Sequence, residues 1–161
     1  MAEKEQAADK KLSISKIYIK DISLESPQAP DVFRRDEWKP QTNLNLRSSH
    51  TTLEGSVHEV VLTITVEAKE EDKTLFLIEV HQAGIFDIGG YEGEELGMII
   101  GSFCPNILFP YAREAISGMI QKAGFPEFVL QPINFDALYM QSLQQKAQAQ
   151  AQAQSQAAEK H

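Results

Sequence analysis

The sequence predicts an α+β fold in which a four-stranded antiparallel sheet carries two long helices on one face. Two observations lead there. Apolar residues alternate with period two through four stretches of the first half, and only afterwards does the spacing lengthen to the helical one. Strands that all precede the long helices pair as an antiparallel sheet with the helices layered to one side.

The first strand spans residues 12–24, and its apolar residues change phase twice. Leu12 and Ile14 are even, Ile17 and Ile19 odd, Ile22 and Leu24 even again. A regular pleat cannot absorb such a change, so bulges or strong twist are expected. Asp21 and Glu25, four apart, belong to one face of it. The next segment, SPQAPDVFRRDEWKPQ, combines Pro27, Pro30 and Pro40 with Phe33 and Trp38 and reads as an extended crossover. Two aromatics of that size need something to pack on.

A second strand over 43–47 puts Leu44 and Leu46 on one side, and a third over 57–68 aligns Val60, Leu62, Ile64, Val66 and Ala68. The charged turn KEEDK follows. The fourth strand, 74–82, sets Phe76, Ile78 and Val80 on one face and Leu75, Leu77, Glu79 and His81 on the other. One face is core; the other mixes apolar and acidic residues and can border Asp21 and Glu25.

The glycines of GGYEGEELG loosen the chain before a short helical patch over 96–103. A long helix is expected over 107–122, stopping at Gly124 and either starting or kinking at Pro110. The last helix has Asn134 as N-cap and Asp136 in its first turn, with Phe135, Leu138, Tyr139, Ser142 and Leu143 sharing a face. The closing KAQAQAQAQSQAAEKH alternates with period two, which leaves a helix no apolar side, so a frayed or disordered tail is expected. The organisation is therefore a disordered segment over 1–11, one folded domain over 12–143 and a Gln/Ala tail over 144–161.

Composition narrows the function. The chain has 161 residues, 42% of them hydrophobic, enough for one core. Its formal net charge of −8 disfavours nucleic acid and favours basic proteins or cationic unfolded segments. The single cysteine, Cys104, and a charged N-terminus without an apolar stretch point to a cytoplasmic protein. The most apolar region, 97–112, is broken by Ser102, Pro105, Asn106 and Pro110, so no membrane insertion is expected.

Sites for chemistry are poorly represented, so the chain is not expected to be an enzyme. Cys104 has no cysteine-enzyme signature around it and sits in an apolar stretch, as a structural thiol does. His50, His58, His81 and His161 lack ligand spacing, so no metal is expected. The glycines at 84, 89, 90, 93, 97 and 101 match neither phosphate-loop pattern, and no cofactor is implied. Glu94 and Glu95 are adjacent on a helix and diverge, which makes a poor acid/base couple. What remains is a dispersed set of apolar residues: Phe33, Trp38, Ile85, Phe86, Phe135, Leu138 and Tyr139. Aromatics in Pro- and Gly-rich segments suit a promiscuous apolar groove.

Taken together, IYIKDISLESPQAPDVF, HEVVLTITVEA, GIFDIGGYEGEEL, CPNILFPYAREAISGMI and INFDALYMQ resemble the bacterial SecB family from about Leu12 to Leu143. The order and spacing of KDIS, CPNILFPYARE and NFDAL carry the resemblance. It implies a SecB-like sheet-and-helix fold and a homotetramer built as a dimer of dimers. It also implies an ATP-independent holdase that binds unfolded precursor proteins and delivers them to the SecA translocation ATPase. By resemblance, the SecA-binding positions are Asp21, Glu25, Leu77 and Glu79, and the substrate groove holds Phe33, Trp38, Phe86, Phe135 and Leu138. The Gln/Ala tail departs from family tails that add a second SecA contact. The alternative to an export chaperone is an acidic binding scaffold with one dedicated partner. The groove is expected to form where Phe33 and Trp38 meet Phe135 and Leu138.

Overall fold

The computed structural model describes residues 9–158. Four strands, β1 (Lys11–Glu25), β2 (Gln41–Glu54), β3 (Val57–Glu70) and β4 (Lys73–Gly89), form one antiparallel sheet in the order β1-β4-β3-β2. The helices are α1 (Gly93–Met98), α2 (Cys104–Lys122) and α3 (Phe135–Ala158), with a π-helical segment, Ile99–Phe103, joining the first two. The fold is α+β. Most of the expected N-terminal disorder lies outside the described residues; β1 already begins at Lys11.

The changes of phase in β1 are bulges. Its register against β4 shifts between Ile14 and Lys16 and again between Ile19 and Asp21. Ser15 and Lys20 are thus the extra residues. The consequence is that Leu12, Ile14, Ile17, Ile19, Ile22 and Leu24 pair with Ile88, Phe86, Gly84, Gln82, Val80 and Ile78, all even positions of β4. All six aliphatic residues of β1 therefore face the side on which β4 and β3 bury their core.

A third register shift, between Ala68 and Lys69, corrects the reading of β4. Ala68 pairs with Phe76 and Lys69 with Thr74, so Leu75 is unpaired and buried at 2% exposure beside Val32 in the core. It does not share the outer face with Leu77.

Helix α2 lies on the inner face. Cys104, Leu108, Ala112, Ile116 and Ile120, each four residues apart, are fully buried. A side chain on Gly84 would meet Leu108 Cδ2 at 3.0 Å, so the glycine sets how closely helix and sheet approach. The helix starts earlier than residue 107, since the helical chain is continuous from Gly93. The irregularity falls before Pro105, not at Pro110. Pro105 has no N–H for the Gly101 carbonyl and its ring crowds that group, and the backbone widens there into the π segment. Pro110 stays inside the helix on its exposed side.

The stop at Gly124 is present. Phe125 N–H donates to Ile120 O at 3.2 Å and Gly124 N–H to Gln121 O at 3.0 Å, with Gly124 at φ +93°. This is a Schellman closure. At α3, Asn134 Oδ1 accepts the Ala137 N–H at 3.0 Å, the expected N-cap. The Gln/Ala stretch differs from expectation, because α3 runs on to Ala158 as an exposed helix. Ala and Gln propensity suffices to continue a turn already nucleated at a capped end.

Candidate functional site

The bulges of β1 also decide what the opposite face of the sheet looks like. With the apolar residues turned inward, Asp21, Ser23 and Glu25 pair with His81, Glu79 and Leu77 and project outward with them. All four sequence-predicted docking positions, Asp21, Glu25, Leu77 and Glu79, therefore lie in two adjoining strands on one face. Asp21 and Glu25 are exposed; Leu77 and Glu79 are half-buried.

Three residues that sequence reasoning did not assign complete the patch. Glu67 of β3 pairs with Leu77 and accepts a hydrogen bond from Thr74 Oγ1 at 2.8 Å. Arg47 of β2 reaches Glu79 Oε1 at 3.7 Å, and His81 Nε2 lies 3.6 Å from the same oxygen. The signal for Glu67 was available: it shares the odd-numbered face of β3 with Thr63 and Thr65. At the far end of this face, Glu59 accepts hydrogen bonds from Lys20 and from Tyr18 Oη. Lys20 and then Tyr18 hold the Glu59 carboxyl below its ordinary range, while burial and that carboxylate push the Tyr18 hydroxyl up to about 12. The bulge at Lys20 is thus also pinned electrostatically.

On the other side, a groove of about 690 Å3 opens between β2 and α3. Residues 46–50 of the edge strand β2, Arg47 among them, form its sheet wall, Ile100 lies at the π segment, and Leu138 and Leu143 come from α3. Leu138 and Leu143 are each 42% exposed. Tyr139 also lines it, with its ring over Gly97 and Gly101; a β-carbon on Gly97 would stand 2.7 Å from the tyrosine hydroxyl. Ser102 Oγ donates to Asp136 beside it. These two contacts tie down the N-terminal end of α3, in which only Phe135 is buried.

The predicted groove residues do not converge. Phe33 and Trp38 pack on Phe125, with ring centroids 5.2 and 5.4 Å away, and Phe125 packs at a tilt on Phe76 at 4.9 Å. Trp38 Nε1–H donates to Val32 O at 3.0 Å. Phe135 instead meets Phe109 at 5.7 Å, about 20 Å up α2 from its C-terminal end. Phe86 is fully buried beneath α2 and Phe135 is 4% exposed. Of the five, only Leu138 offers an open surface to the large groove, while Phe33, 42% exposed, belongs to a separate aromatic cluster at the crossover.

Cys104 is fully buried, and burial pushes its thiol up to about 12. A thiol held that high supplies almost no thiolate at neutral pH. Among the described residues, no helix is long and apolar enough to cross a membrane.

The model of the family described as preprotein translocase subunit SecB matches residues 5–146. The chain belongs to the SecB family. The protein-export protein SecB of Nitrosococcus oceani is 52% identical over 143 residues, covering 88% of this chain and 87% of that one. Its namesake from Methylococcus capsulatus is 48% identical over 148 residues, with 92% and 95% covered. Among solved structures, a SecB-like chaperone of Mycobacterium tuberculosis in complex with an antitoxin peptide shares the fold. The TM-score is 0.61 at 18% identity, over 76% of this chain and 87% of that one. Membership of this SecB family assigns the chain the role of an export chaperone.

Proposed function

We propose that this SecB chain is an ATP-independent holdase of the cytoplasm that binds unfolded precursor proteins and passes them to the SecA translocation ATPase. The observation that carries the reading is the placement of two unlike surfaces on opposite sides of one sheet. The acidic face with Asp21, Glu25, Glu67 and Glu79 suits a basic protein surface, with Leu77 as an apolar contact. The groove on the other side suits extended apolar chain. One molecule can then hold a client and its acceptor at the same time.

Apolar burial at ~25 cal/mol per Å2 holds an extended segment by area, without nucleotide. The working unit is a homotetramer, a dimer of dimers. Ile14 and Ile19 on the edge strand β1, and Met98, Phe103 and Tyr111 on the helical layer, are 39% to 51% exposed and need cover.

The test is suppression of aggregation of several unrelated denatured proteins, without nucleotide, by the chain and by Cys104→Ser. Suppression of all of them by both proteins supports the holdase. Suppression of one client alone favours the dedicated scaffold, and loss in Cys104→Ser at an unchanged urea midpoint would bring back cysteine chemistry.

A further inference from the structure

We infer that His81 makes docking on the outer sheet face proton-sensitive, so that a basic partner is held more tightly when the imidazole is neutral. The inference rests on the docking reading above and adds a residue and a control to it.

His81 stands inside the acidic patch. On its own strand, Glu79 Oε1 is 3.6 Å from its Nε2. From β3, Thr63 Oγ1 is 3.4 Å from its Nδ1. From β1, Asp21 is its direct ladder partner. From β2, Arg47 stands opposite Thr63 and reaches the same Glu79 oxygen. Tyr18 and Lys20 are the next groups along β1, and both turn to Glu59. The helices pack on the other face, so these are the charged and titratable groups that His81 faces.

A proton added here has two effects of the same sign. It places a positive charge between Asp21 and Glu79, the two carboxylates that a basic partner would engage, and it draws both into pairs within the sheet. Arg47 already occupies one side of Glu79, so a protonated His81 leaves that carboxylate bracketed by cations. Imidazole is the side chain whose ordinary titration falls between about pH 5 and 8, within the range a cytoplasmic or purified protein meets. One unit charge a few ångströms from a docked cation in a wet interface changes affinity roughly fivefold.

The experiment measures the affinity of purified SecA for the full chain, for His81→Gln and for His81→Lys, at about pH 6 and about pH 8. Wild type should bind roughly fivefold more weakly at the lower pH, His81→Gln should change by less than about twofold, and His81→Lys should bind weakly at both. Titration within SecA itself affects all three alike, so the readout is the difference between their slopes. An identical slope in wild type and His81→Gln overturns the inference while leaving docking intact. Tight binding by His81→Lys at the higher pH overturns it too. Absence of SecA binding by wild type at either pH sinks the docking reading, and this inference with it.

Discussion

The ring of Tyr139 occupies the space that a β-carbon on Gly101 would need. Together with Gly97 one turn earlier, Gly101 makes the notch that seats α3, and the rest of that helix is mostly exposed. Gly101→Ala should therefore unseat α3 without disturbing the sheet, at a cost of roughly 1–3 kcal/mol for forced overpacking. Hydrogen exchange checks it: amides of 135–143 should lose protection while those of β3 and β4 keep theirs. Uniform loss across the sheet would mean that the notch supports the whole core.

Leu138 and Leu143 line the groove yet are each 42% exposed, so their contribution to folding is small. Replacing both with Ser should weaken client holding about three- to tenfold, the loss of two apolar contacts, while the unfolding midpoint moves little. Aggregation suppression measured beside a urea melt separates the two effects. Equal damage to both would make them core residues.

The β3–β4 turn places Glu71 and Asp72 at φ +50° and +64°, two consecutive left-handed positions. A tight hairpin of this kind favours Asn-Gly. Glu71→Asn with Asp72→Gly should stabilise the fold by about 0.5–1 kcal/mol, read as a higher urea midpoint at unchanged slope.

His58 gives a pH dependence whose sign follows from its burial. It is 6% exposed, 3.2 Å from Thr52 Oγ1, and burial first and the neighbouring His50 second hold its pKa below the ordinary 6.5. Above 6.5 it is neutral both folded and unfolded and costs nothing; as pH falls below that, the unfolded chain takes the proton more readily, and stability declines through the lowered folded value. Glu59, held below 4.5, acts further down: its stabilisation is complete above 4.5 and is lost as pH falls through its lowered value. His58→Gln should flatten the upper limb of the stability profile and Glu59→Gln the lower one. A wild-type urea midpoint that stays constant between about pH 7 and about pH 5 would contradict the His58 assignment.

The parts of this structure legible in the sequence are those set by periodicity along one element. The displaced phase of Leu12, Ile17 and Ile22 is a bulge signal in itself, and counting puts Asp21 with Glu25, and Leu77 with Glu79, on one face of their own strands, which the pairing of β1 with β4 then joins. Gly124 and Asn134 announced their helix ends through local backbone chemistry. What escaped depends on contacts between elements. Leu75 needed a bulge opposite Lys69 that its own alternation does not show. Phe33 and Trp38 required a partner, but nothing local distinguishes Phe125 at the end of α2 from Phe135 at the start of α3. The groove on β2 and the Gly97/Gly101 notch are likewise properties of packing.

The central claim is that client holding and SecA docking occupy opposite sides of one sheet, and one variant tests it most directly. Asp21→Ala, Glu25→Ala and Glu79→Ala combined remove three carboxylates from the outer face, where two are exposed; none lines the groove, and Glu79 reaches it only through Arg47 at its rim. SecA affinity and suppression of client aggregation are measured on the same preparation, at low and at high salt. The account predicts that SecA binding falls at least about tenfold and loses most of its salt dependence, while client holding stays within about twofold of wild type. Parallel loss of both activities, or unchanged SecA affinity, would contradict it.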